Sequence, residues 1–214
     1  MAYPVAYQAD YKEHQSRLTT FFRLIVAIPW LIVSYFWALV GAIGIIVGWF
    51  AIVFTGRYPD GLYNLTAMSL RFHARVYSWM YLLTDVWPPF DGAEHPEYPI
   101  RLVIPAPQES YSRVKTLFRI IIGIPVMVML WLFSILYQIV GVLLWVVIVI
   151  TGKNPKGLFD VQKMALAYYA LGGAYLGLVT ETYPPISPED DGTPSYPASP
   201  STPPPPTTPS PFGS

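Results

Sequence analysis

LIVAIPWLIVSYFWALVGAIGIIVGWFAIVF, residues 24–54, contains no Asp, Glu, Lys, Arg or His. Neither does IIIGIPVMVMLWLFSILYQIVGVLLWVVIVI, residues 120–150. Each run is 31 residues long, and about 18 such residues already suffice for membrane insertion. As one straight helix, a run of this length would extend about 46 Å against a hydrocarbon core of ~30 Å. Two readings accommodate the excess. A single helix tilts steeply, or each run folds as a helical hairpin from near Arg17 to near Thr55, with arms of about 28 Å. Gly41/Gly44 and Gln138/Gly141 stand where such turns would fall.

Charge placement favours the hairpin. Lys12, Arg17 and Arg23 precede the first run, and Arg57, Arg71 and Arg75 follow it. Arg113, Lys115 and Arg119 precede the second, and Lys153, Lys156 and Lys163 follow it. Basic residues flank both ends of both runs, which under the positive-inside rule places both ends in the cytoplasm.

The two runs belong to a longer duplication. Residues 17–90 align on 113–186 without a gap, and 23 of 74 positions are identical. The identities include Arg17/Arg113, Arg23/Arg119, Pro29/Pro125, Trp49/Trp145, Gly56/Gly152 and Pro88-Pro89/Pro184-Pro185. A fixed offset marks an internal repeat. The expected organisation is therefore a membrane repeat over 1–90, a polar linker over 91–112 that begins the second repeat, a membrane repeat over 113–186, and a disordered Pro/Ser/Thr-rich tail over 187–214.

After each run comes Thr-Gly-x-x-Pro-x-Gly-Leu: TGRYPDGL at 55–62 and TGKNPKGL at 151–158. This pattern ends one helix and starts another. A third helix then follows in each repeat, over about 61–84 and 157–180. In the first copy Leu62, Leu65, Phe72, Val76, Trp79 and Leu83 share one stripe, and Arg71, Arg75 and Ser78 another. That is an amphipathic helix suited to the membrane interface. In the second copy Ala167 and Leu171 replace the two arginines. The fold expected is all-α: two tandem repeats, each a transmembrane hairpin followed by an interfacial helix, with four crossings and cytoplasmic termini. A variant in which the long run and the third helix each cross once also gives four. It puts Arg71, His73 and Arg75 near mid-membrane, at about 2.5–3.5 kcal/mol for each central arginine. A short extended segment is expected around Tyr98–Ile104.

The chain is 53% hydrophobic, 12% charged and formally neutral, against about 25% charged in soluble domains. Neutrality removes the electrostatic case for nucleic acid. Without cysteine there is no thiolate chemistry. His14, His73 and His95 lack metal-ligand spacing, no catalytic constellation stands out, and no cofactor is expected. Arg71, His73, Arg75, Arg17, Arg23, Arg113 and Arg119 are the candidate contacts to lipid headgroups or partners. The expected partners are the lipid bilayer, other membrane-protein subunits and anionic lipids.

Together these landmarks, R-x4-F-R, I-P, T-G-[RK]-x-P-x-G-L and [DE]-x-[WY]-P-P, resemble a bacterial family of small membrane proteins, actinobacterial in type, known as a domain of unknown function. The resemblance implies a tandem plasma-membrane protein and carries no activity. The reading from sequence is a non-catalytic accessory or scaffold subunit of a larger membrane complex, with respiratory assemblies a natural place to look. The alternative is a small transporter, channel or lipid-handling protein.

Overall fold

The computed structural model describes residues 3–185; the proline-rich tail expected over 187–214 lies outside them. The elements are β1 (Ala6–Ala9), α1 (Arg17–Val26), α2 (Ile28–Thr55), α3 (Asp60–Met80), β2 (Ile100–Val103), α4 (Arg113–Leu117), α5 (Arg119–Ile122), α6 (Ile124–Thr151) and α7 (Lys156–Leu176).

The hairpin expected inside each apolar run is absent. Both α2 and α6 are unbroken helices of 28 residues. Among the described residues they alone are long and apolar enough to cross a membrane, so the expectation of four crossings is overturned. The residues read as a turn serve packing instead. A Cβ on Gly41 would stand 2.5 Å from Ser69 Oγ, and one on Gly44 2.4 Å from Thr66 Oγ1. Glycine lets α3 approach the α2 backbone at those points. What interrupts each run is proline near its start. Ala27 separates α1 from α2 and Gly123 separates α5 from α6, each two residues before a proline, which cannot donate to the preceding turn.

The reversal comes at the Thr-Gly motif. Gly56 and Gly152 adopt φ of 76° and 74° and cap α2 and α6 in the left-handed conformation, where glycine carries no Cβ penalty. From there α3 runs back along α2. Trp37 stacks on Phe72, Gly41 meets Ser69 and Gly48 meets Tyr58. Phe133 on Tyr168 and Leu130 on Gly172 repeat the arrangement for α6 and α7.

Neither α3 nor α7 is the surface helix expected from amphipathicity. Both are core helices: α3 buries Phe72, Arg75, Val76 and Trp79, and α7 buries Leu166, Ala167, Tyr168 and Leu171. A β1–β2 antiparallel pair, with Tyr7 opposite Leu102, covers their other side. Ile100 and Leu102 point inward while Arg101 is half-exposed, the alternation of a one-sided strand. This pair coincides with the extended segment expected near 98–104 and adds a small strand layer to an otherwise helical protein.

The copies are related by a pseudo-twofold axis perpendicular to the long helices. α3 and α7 are antiparallel: Tyr77 packs on Tyr169, Leu70 lies against Gly173, and Thr66 against Gly177. Consequently α2 and α6 are antiparallel too. Each copy also reaches into the other. The Trp49 indole donates to the Thr116 carbonyl (2.9 Å), and the Trp145 indole to Thr20 (3.1 Å). The Tyr111 amide donates to Gly56 (2.8 Å), and the Gln15 amide to Gly152 (3.1 Å). The chain leading into each long helix therefore binds the end of the long helix in the other copy.

Candidate functional site

Three groups of polar residues came from the sequence, and the structure separates them. Arg17 and Arg113 stand at the exchanged ends. Arg17 donates to the Thr151 carbonyl (2.9 Å) at the C-terminus of α6, and Arg113 lies against Gly56 at the C-terminus of α2. A cation there meets the negative end of a helix dipole. Both are exposed at the molecule's two ends.

Arg23 and Arg119 are buried, at 1% and 5% exposure. Arg23 donates to the carbonyls of Trp79 (2.5 Å) and Thr84 (3.0 Å) and lies over the Trp79 ring. Arg119 donates to Thr180 and lies over Tyr175. The Trp79 carbonyl lies in the last turn of α3, and Thr84 and Thr180 follow α3 and α7, just past the turns in which Leu82 and Leu178 take positive φ. Burial pushes the Arg23 guanidinium down to about 10, with Asp85 and Tyr98 opposing, so it stays charged at neutral pH. The two arginines therefore hold from inside the turns that follow α3 and α7 and do not stand at a headgroup surface.

Arg71, His73 and Arg75 divide again. Arg71 pairs with Glu94 at 2.5 Å. Arg75 donates to the Asp91 carbonyl (2.7 Å), with the Asp91 carboxylate 3.8 Å away. His95 bridges Asp91 (2.9 Å) and Glu97 (3.1 Å). Burial works to raise the Asp91 pKa, but hydrogen bonds from His95 and the Ala93 amide outweigh it and hold the carboxyl below its ordinary value. The cleft among these groups holds only about 20 Å³, the scale of one water and not of a ligand. Its chemistry is the docking of the linker onto α3. His73 faces the opposite way, bonding the Ser69 carbonyl at 2.7 Å and stacking near Tyr77.

Sequence reading missed two apolar clefts. One, about 270 Å³, lies between α3 and α7 and is lined by Leu70, His73, Tyr77, Leu130 and Tyr169. The other, about 400 Å³, is lined by Arg23, Tyr81, Gln138, Gly141 and Trp145. Both form where the copies meet, which an alignment of one copy on the other does not display. Trp49 and Trp145 carried a usable signal, being identities within the runs.

The long helices present a continuous apolar surface. Phe36, Ile43, Val47 and Phe54 on α2, and Trp131, Ile139, Val142 and Ile150 on α6, are exposed. Exposed apolar residues extend back through Leu18–Ile25 and Val114–Ile122. A patch of this size lies far outside what monomeric soluble proteins present.

The profile of a family described as "Domain of unknown function (DUF4389)" matches the chain twice, at residues 17–91 and 113–187. The chain belongs to the DUF4389 family. The two DUF4389 matches coincide with the two copies related by the pseudo-twofold axis. No curated protein and no solved structure matches the chain.

Proposed function

We propose that this tandem DUF4389 protein is a non-catalytic, membrane-embedded accessory or scaffold subunit of a larger complex in the bacterial plasma membrane, with cytoplasmic termini. The observation that carries this reading is the apolar surface of α2 and α6. Its side chains occupy every turn for 28 residues in each helix. The deeply buried charged side chains, Arg23, Arg75 and Arg119, meanwhile bond backbone carbonyls. Charges bound to backbone hold a shape, and an apolar exterior meets lipid or other subunits. A respiratory assembly is one such complex. The test is purification of the native protein in mild detergent with mass spectrometry of what accompanies it. Stoichiometric recovery with a large membrane complex is expected. Recovery as a lone protein from every mild detergent would contradict the reading.

One observation favours a second reading. The cleft of about 400 Å³ beside Arg23 matches the volume of small amphiphile sites, as a lipid-handling protein requires. A defined lipid recovered in stoichiometric amount from the lone protein would favour that reading over the first.

A further inference from the structure

Each long helix continues the line of the helices before it. Along the first copy, Arg17 lies beside Gly152, Thr20 beside Trp145, Trp30 beside Trp79 and Trp37 beside Phe72. The partners advance steadily toward the opposite end of the molecule. Residues 17–55 therefore form one slightly broken rod, as do 113–151. At 1.5 Å per residue each rod is about 58 Å long. The rods are antiparallel and expose apolar side chains from Leu18 to Phe54 and from Val114 to Ile150.

A rod of about 58 Å crosses a ~30 Å core only when tilted about 60° from the membrane normal, well beyond the ordinary range of about 0–40°. Tilt would also leave the sheet side unaccounted for. The pseudo-twofold axis passes through the β1–β2 pair, so that pair stands midway between the molecule's ends. Beside it Arg101 pairs with Asp10 at 2.8 Å. The linker adds Asp91, Glu94 and Glu97, each at least half exposed. In a crossing orientation these acids would face lipid near the bilayer midplane, where each charge costs several kcal/mol. The same groups sit in water if the rods lie flat.

Resting on the membrane reading above, we propose that the two rods lie side by side in the plane of a single leaflet. Their outer faces are in the acyl region, and the β1–β2 layer and linker are on the cytoplasmic side. The partner of this surface is a lipid monolayer. Arg17, Arg57, Arg113 and Lys153 at the rod ends are exposed and meet its headgroups, in the manner of interfacial helices.

The chain contains no cysteine, so single cysteines report position without background. Arg57→Cys and Lys153→Cys mark opposite ends of the molecule, and Glu97→Cys marks the sheet side. A membrane-impermeant maleimide is applied to spheroplasts and to inverted vesicles carrying the full-length protein. All three positions are expected to label from the cytoplasmic side, with complete loss of labelling from outside. Labelling of Arg57→Cys and Lys153→Cys from opposite sides would overturn the one-leaflet arrangement while leaving the membrane reading intact. Release of the protein by alkaline carbonate would overturn the membrane reading itself. A nitroxide at Ile43→Cys or Ile139→Cys is expected to be accessible to oxygen dissolved in the acyl chains. Occlusion there would show that protein, not lipid, covers the face, and would also overturn the proposal.

Discussion

The two copies hold the same backbone with opposite distributions of bulk. In the first, glycines on the long helix receive larger groups: Gly41 meets Ser69, Gly44 meets Thr66 and Gly48 meets Tyr58. In the second, the equivalent long-helix residues are Tyr137, Val140 and Leu144, while Ser69 and Tyr58 have become Ala165 and Asn154. At these two contacts volume has moved across the interface; at the third, where Gly44 and Thr66 correspond to Val140 and Gln162, both sides are larger. Interiors require filled space and tolerate exchange of what fills it. Low identity inside the runs is thus compatible with one fold.

This trade is most severely tested by copying one half of it. Gly48→Leu, taken from Leu144, puts a side chain where a Cβ alone would stand 2.4 Å from the Tyr58 ring. We expect a loss of about 3 kcal/mol or more, measured by thermal unfolding in detergent. Adding Tyr58→Asn, the second copy's residue, should restore much of it. If the double variant is no better than the single, the copies do not trade volume.

The next largest difference lies between the buried arginines. Arg23 bonds two carbonyls and Arg119 bonds one. Arg23→Met strands two buried acceptors, each costing about 1–3 kcal/mol, so it should destabilise more than Arg119→Met. Equal losses would show that the two carbonyl bonds of Arg23 are not what distinguishes it.

A smaller, local effect is expected where the copies diverge most. Arg71→Ala with Arg75→Leu gives the first copy the second copy's residues. The linker should come off α3, seen as faster amide exchange over residues 91–97, with about 1 kcal/mol lost globally because the acid partners of the two arginines are half-exposed. Unchanged exchange would contradict linker docking by these arginines.

Acid should act on the same contact more gently. The Asp91 pKa is lower in the folded protein than in the unfolded chain. Its stabilising contribution is therefore present above the ordinary carboxyl range and disappears as pH falls through the depressed value. Exchange over the linker should rise on acidification in the parent and much less in His95→Ala, which removes the strongest of the hydrogen bonds that hold the Asp91 carboxyl low.

The sequence exposed the duplication, the Thr-Gly reversals, the third helices and the strand near Tyr98. Each rests on a local signal: a fixed offset, a left-handed glycine, a 3.6-residue period. The fate of Gly41 and Gly44 was not legible, because a glycine that turns a chain and one that admits Ser69 read alike until the neighbour is known. Nor was the antiparallel pairing of the copies, which depends on contacts such as Trp49 with Thr116, remote in sequence. The burial of Arg23 was hidden for the same reason, since its partners Trp79 and Thr84 lie more than fifty residues away. Arg71 and Arg75 were visible as the point of divergence, but their acids lie in the linker, outside the aligned copies.

Antiparallel, interlocked copies are the centre of this account, and one distance tests them. Nitroxides at Arg57→Cys and Lys153→Cys, each just beyond the end of a long helix, are measured by pulsed electron resonance in nanodiscs. If the copies are antiparallel the spins stand at opposite ends of the molecule, at least the length of one long helix apart, about 40 Å. If the copies stand parallel, those ends are neighbours. A distance near helix-packing range, about 10–20 Å, would contradict the account.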